Sequence, residues 1–176
     1  MSSPRRARKI AALGTHAFPL IPREKAPLTR HGHLDSTTDP NEILAMWARN
    51  PTANIGIDLV KSNLLIIGPD CAEWQQEFER RGLPDTYIVQ TGSGPGHRHY
   101  YYRRPEGCAI HRICKSGGFD ILSNGYIVAA GSVTTGEYID LTEPRAIEDL
   151  PFAPNWAVAM LNNAAARDKK LSTTTT

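Results

Sequence analysis

The stretch Leu64-Leu65-Ile66-Ile67-Gly68-Pro69-Asp70 decides the fold: an aliphatic run, broken by glycine and proline, that ends on an acid. Unbroken apolar residues over so short a length predict a β-strand. Two later stretches are built the same way. Ser93-Gly94-Pro95-Gly96-His97-Arg98-His99 leads into Tyr100-Tyr101-Tyr102, and Gly117-Gly118-Phe119-Asp120 opens another β-type run. An acid, a glycine-rich turn with histidine and a second acid, each beside a strand, are the parts that a site for Mg²⁺ and a nucleoside triphosphate requires. Carboxylates hold the hard cation, and small residues with a donor hold the phosphates.

Working outward, residues 54–59 form a second apolar run, separated from the first by Val60-Lys61-Ser62-Asn63. This predicts an antiparallel pair joined by a tight turn. On the other side, residues 72–81 read as a helix, with Trp74 and Phe78 on its buried side and Gly82 as its stop. Residues 87–90, 99–103, 119–123, 126–129 and 137–141 read as the remaining strands, with Asn124-Gly125 as a two-residue hairpin signal. Ser3 and Pro4 open an N-terminal helix that Gly14 ends, with Ala7, Ile10, Ala11 and Leu13 inward and the arginines on the wet face. Residues 16–21 read as a strand and 22–39 as a long loop. Asp39-Pro40-Asn41-Glu42 then resembles a capping box that starts a helix through Ile43, Leu44, Met46 and Trp47. A last helix begins near Pro151, and residues 166–176 are expected to be a disordered tail.

With 176 residues, 40% of them hydrophobic, the chain has material for one core, since domains usually run to about 100–200 residues. Lys and Arg number 20 against 18 Asp and Glu, so the formal charge of +2 carries no general signal for a polyanion partner. Nucleic-acid contact must then come from local clusters. Three cysteines at irregular spacing do not make a disulfide framework. No stretch has the length of a membrane span, and the basic N-terminus is not followed by a secretory apolar region. A reduced, cytoplasmic protein without membrane contact is the expectation.

The order of motifs resembles the N-terminal domain of bifunctional DNA primase/polymerases, the prim-pol domains of the archaeo-eukaryotic primase superfamily found in plasmids, phages and integrated elements. The resemblance rests on Phe18-Pro19-Leu20-Ile21-Pro22-Arg23-Glu24-Lys25-Ala26-Pro27-Leu28 with His31-Gly32-His33, on Thr37-Thr38-Asp39-Pro40, on Trp47 and on Asn54-Ile55-Gly56-Ile57. It continues through Gly82-Leu83-Pro84, the glycine-rich histidine motif, Gly118-Phe119-Asp120 and residues 125–132. It implies an α+β fold: a mixed, mostly antiparallel sheet with an RNA-recognition-motif-like core flanked by helices, in a single domain over residues 1–165. It also implies a site in which two acids one residue apart, a histidine and a third acid bind two metal ions, Mg²⁺ or Mn²⁺, with the incoming nucleotide.

Carried over position by position, Asp70 matches the second acid, His99 the histidine before the aromatic strand, and Asp120 the third acid. These are the expected catalytic residues, with Asp70 and Asp120 as metal ligands. The first acid is absent, and its position holds Gly68. Asp58, at the end of the preceding strand, and Glu73, on the following helix, are the nearby candidates to replace it. Lys25, Arg30, Ser93, Gly96, His97 and His99 are the expected phosphate contacts. The bland readings are an N-cap for Asp70, a turn residue for Asp120, solvated loop cations for Lys25 and Arg30, and core packing for the three tyrosines. Cys108, His111 and Cys114, each three residues from the next, invite a zinc site with His97 or His99 as fourth ligand. The competing reading makes residues 106–116 a loop that brings Arg112 and Lys115 near nucleic acid.

Two functions follow. One is a template-directed nucleotidyltransferase, a DNA primase/polymerase of DNA replication, acting on nucleoside triphosphates and a single-stranded DNA template. The other is a non-catalytic nucleotide or nucleic-acid binding domain derived from such an enzyme. No P-loop is present, so unwinding requires a helicase on another chain or a missing C-terminal region.

Overall fold

A computed structural model describes residues 3–174. The aliphatic run forms β3 (Leu64–Pro69), buried along its whole length, as a strand must be to lie between two others with both faces covered. Around it stands a six-stranded sheet in the order β6-β7-β3-β5-β4-β9. Its other members are β4 (Tyr87–Gln90), β5 (Arg98–Arg103), β6 (Arg112–Lys115), β7 (Phe119–Leu122) and β9 (Ile139–Asp140). A second, three-stranded sheet runs β1-β2-β8, from β1 (Ala17–Leu20), β2 (Asn54–Asp58) and β8 (Tyr126–Val128). Every ladder is antiparallel, and the one parallel pairing among the described residues is the isolated bridge from Arg103 to Phe152. Four helices complete a single α+β domain: α1 (Ser3–Ala11), α2 (Pro40–Ala48), α3 (Ala72–Arg81) and α4 (Asn155–Thr174).

The period of two in β3 divides the core. Leu64 and Ile66 face a cluster with Tyr101, Leu122, the three-stranded sheet, α1 and α2, whereas Leu65 and Ile67 face Tyr100, Tyr102, Phe119 and Ile121 beneath α3 and α4. All three tyrosines of the run are thus core. Phe78 of α3 is fully buried between Phe119 and Trp156, at ring-centroid distances of 5.1 and 4.9 Å. Helix α2 starts where the sequence predicts: the Asp39 carboxylate accepts from the backbone N–H groups of Asn41 and Glu42, a cap that contributes about 1 kcal/mol.

Five expectations change. β2 and β3 do not pair; β2 joins β1 and β8, while β3 joins β5 and β7. Likewise Asn124-Gly125 links β7 to β8, which lie in different sheets. Both tight connections are crossovers, and the Leu59 N–H donating to the Gly125 carbonyl at 2.9 Å ties one to the other. The two segments that pair as β2 and β8 therefore pair again as β3 and β7, carrying the chain from one sheet into the next. Residues 112–115, expected in a loop, form edge strand β6; its Arg-Ile-Cys-Lys composition hides the strand because an edge exposed to water tolerates charge. Arg6, expected on the wet face, is buried, its guanidinium bonded to Asp140 at 2.6 Å. Residues 166–174, expected as a disordered tail, continue α4 as exposed helix from Ala166 onward, with the Ser172 and Thr173 hydroxyls bonded to the Lys169 carbonyl. The last two residues of the expected tail lie outside the described residues.

Candidate active site

Strand register builds the site. In the row across the six-stranded sheet, Cys114 of β6 stands opposite Asp120 of β7, and Asp120 opposite Gly68 of β3. The same register continues from Gly68 to His99 of β5, which pairs with Val89 of β4. Residues opposite one another share a face, so Asp120 and His99 flank the bare Cα of Gly68. Two residues beyond Gly68, just off the strand, comes Asp70, whose backbone N–H donates to the Gly118 carbonyl at 2.8 Å. Asp70 does not cap α3; that position belongs to Cys71, which makes no side-chain capping bond. Three chain segments remote in sequence thus bring their polar residues to one sheet face.

A cleft of about 420 Å³ opens on this face, within the range of small-ligand pockets. Its polar wall comprises Lys25, Asp70, Ser93, His99, Arg112 and Asp120, and its apolar wall Leu122, Tyr126, Ile127 and Val128. Lys25 arrives from the loop after β1, which Tyr126 fastens by donating its hydroxyl to the Lys25 carbonyl at 3.0 Å. The glycine-rich turn between β4 and β5 closes on itself: the Thr91 N–H donates to His97 O at 2.9 Å and the Gly94 N–H to Thr91 O at 3.0 Å. Gly94 and Gly96 hold φ of +97° and +91°, which a side chain would strain. His97 reaches the rim, its Nδ1 3.6 Å from Asp70 Oδ1. Gly96 and Arg30 do not line the cleft, and Arg30 is exposed on its loop.

Burial shifts two of the cleft's ionisable groups. Burial raises the pKa of Asp120 above the usual carboxylate range, and the nearby Asp70 adds to it; the Cys114 thiol, Arg112 and Lys25 pull the other way. Burial, helped by Lys25, pushes the His99 pKa down to about 4. Its imidazole is therefore neutral near pH 7, and its buried Nδ1 has no partner among the described residues. Gly68 makes room for that ring: a Cβ there would lie 3.1 Å from His99 Cδ2.

Neither neighbouring acid takes the place of the missing one. Asp58 is bonded to His33 and shut inside, and Glu73 lines an outward groove on α3 with Trp74 and Arg80. Among the described residues no group of three His, Cys, Asp or Glu side chains is arranged to hold a metal ion. Two adjacent carboxylates do suit a Mg²⁺-type ion that brings most of its ligands with it as phosphate oxygens and water. The zinc reading fails on the same count. Cys108 is buried, His111 pairs with Asp168 at 3.0 Å, and Cys114 meets Asp120.

Arg112, Thr91 and Tyr138 also line the cleft; the sequence reading puts Arg112 near nucleic acid, but on a loop, and it does not single out Thr91 or Tyr138. Only strand register could have found Arg112, through a pairing of β6 with β7 that its composition conceals. No helix is long and apolar enough to cross a membrane. No curated protein matches the chain. Over residues 7–156 the sequence matches the family described as Prim-Pol, bifunctional DNA primase/polymerase, N-terminal, and the chain belongs to that family.

Proposed function

We propose that the chain is a template-directed nucleotidyltransferase, making and extending primers on single-stranded DNA during replication, with residues 1–165 as the working unit. The observation that carries this reading is the convergence of Asp70, His99, Asp120 and Lys25 on one cleft in a chain of this family. Asp70 and Asp120 hold the divalent ion, Mg²⁺ or Mn²⁺, that accompanies the triphosphate. When bound, that ion neutralises charge on the phosphates and polarises the reacting oxygens. The sequence resemblance implies two ions; the two carboxylates in this cleft support one.

The chain's own groups do the positioning. His99, neutral and facing the bare Gly68, offers an N–H to a phosphate oxygen, while Ser93 lines the cleft beside it. His97 at the rim adds a donor on the phosphate side, and Arg30, exposed outside the cleft on the β1–α2 loop, adds one on the template side. Lys25 approaches across the cleft as a point charge. In the reaction the primer 3′-oxygen attacks the α-phosphorus, the bond from that phosphorus to the bridging oxygen breaks, and pyrophosphate leaves. The hydroxyl proton passes to water. The apolar wall of Leu122, Ile127 and Val128 keeps bulk solvent off this centre. The reaction suits a cytoplasmic protein working beside a helicase carried on another chain or a further C-terminal region.

Gly68 favours a second reading, in which the domain binds nucleotide or nucleic acid without turnover. A primer-synthesis and primer-extension assay with Mg²⁺ or Mn²⁺ separates the two. The first reading expects extension by the parent and a loss of about 100-fold or more in Asp120→Ala, the scale of removing one charge contact to a transition state. A parent that is inactive until Gly68→Asp is introduced selects the second, although that aspartate must first displace the His99 ring.

A further inference from the structure

We propose that Arg112 grips the terminal phosphates of the nucleoside triphosphate, supplying the positive charge that a second ion would bring if position 68 carried a carboxylate. The assignment rests on the nucleotide-binding reading above and adds to it a residue and a specificity: triphosphate over monophosphate.

Register puts Arg112 on the right face. It stands opposite Leu122, as Cys114 stands opposite Asp120, so Arg112 and Cys114 share the side of β6 that continues the cleft floor. The intervening Ile113 packs with the cluster on the other face. An edge-strand arginine whose only task is to discourage strand pairing extends into water. This one folds back over the turn between the sheets. Its Nη1 donates to the Asn124 carbonyl at 3.1 Å, and a Cβ on Gly125 would lie only 2.3 Å from that nitrogen. Gly125, at φ +76°, thus serves the turn and also makes the bed for the guanidinium.

The turn therefore aims a planar fork into the cleft and takes up one of its five N–H groups among the described residues. Arg112 and Asp120 line the same cleft from paired strands, two positions apart in the register, and Lys25 enters it from the loop after β1. Two cations thus stand beside two carboxylates in a cleft where the family pattern has three acids. A cleft so balanced has weak affinity for free cations and room for a polyanion with one ion. Guanidinium forks bind phosphate oxygens two at a time, which suits the β- and γ-phosphates better than a lone α-phosphate.

Calorimetry at fixed ionic strength and Mg²⁺ tests this, using an α,β-methylene nucleoside triphosphate and the matching monophosphate as probes. The parent should prefer the triphosphate. Arg112→Ala should weaken triphosphate binding about tenfold or more and leave monophosphate binding within about twofold, the pattern of a lost bidentate contact. Arg112→Lys keeps the charge and loses the fork, and should fall between the two. Lys115→Ala, on the same strand but over the Trp74 and Phe119 rings of the opposite face, should change neither. If Arg112→Ala does not fold, Arg112→Lys decides, and an unchanged triphosphate preference overturns the assignment. The same preference retained in a folded Arg112→Ala also overturns it. A parent that binds neither probe overturns the nucleotide reading itself, and this assignment with it.

Discussion

Asp58 and the pair Asp70–Asp120 are carboxylates at the ends or within the run of buried strands, and the protein treats them in opposite ways. Asp58 is 1% exposed, and both of its oxygens are engaged: Oδ2 accepts from His33 Nδ1 at 2.5 Å and Oδ1 from the Lys61 N–H at 2.8 Å. Lys61 in turn donates its ammonium to the Leu34 and Ser36 carbonyls. That network pins the loop from which Lys25 reaches the cleft, since the His33 ring lies beside Tyr126, whose hydroxyl bonds to Lys25 O. Asp70 and Asp120 have no such closed network. They crowd each other at the floor of a cleft, and Asp120 is harder to ionise for it. A carboxylate answered by its own protein is architecture; one left open at a cleft is, in the function proposed above, kept for a ligand.

Unfolding measurements test this contrast. Asp58→Ala should lower stability by about 3 kcal/mol, because it empties a buried carboxylate site and leaves the half-buried His33 imidazole and the Lys61 N–H without their acceptor. Asp120→Asn should leave stability unchanged or raise it, since it removes a carboxylate that burial and Asp70 both disfavour. Denaturant titration checks both. Equal losses at the two positions would erase the distinction between them.

An effect of comparable size, about 3 kcal/mol for His99, is read in pH. His99 is held near 4, and His16 is also lowered by burial and by Lys61. The His99 ring stays neutral in the folded chain down to about 4, and His16 takes its proton later than a free imidazole, while the unfolded chain takes up protons below about 6.5. Stability present above that pH is therefore lost as pH falls toward 4. Asp120 acts in the opposite sense, because an acid with a raised pKa gains its proton earlier in the folded state. A melting temperature that stays flat between pH 6.5 and 4, or that rises, contradicts the placement of His99 against Gly68 in a dry row.

The elements were more legible in the sequence than their pairing. Helix α3 is readable to the residue because Trp74 and Phe78 mark its buried face and Gly82 must take a φ of +102° to end it. Helix α2 is readable because Asp39 is a cap with a proline behind it. Strands β2 and β3 are apolar on both faces, so alternation says nothing about partners, and proximity in sequence points to a hairpin that does not exist. Asn124-Gly125 has hairpin chemistry and serves a crossover instead. Asp70, His99 and Asp120 were legible through their glycine-flanked motifs. Arg112 was not, because its place in the cleft depends on a charged edge strand finding β7. Arg6 was misread because its partner Asp140 lies far along the chain.

The central claim is that the two acids act together on an ion delivered with a triphosphate. Electron paramagnetic resonance of Mn²⁺, titrated into the parent with and without a non-hydrolysable nucleoside triphosphate, tests it directly. The parent should take up about one ion per chain, and only with nucleotide, and should lose that uptake when Asp70→Asn and Asp120→Asn are combined. Uptake that the double substitution leaves intact, or no uptake with nucleotide present, contradicts it.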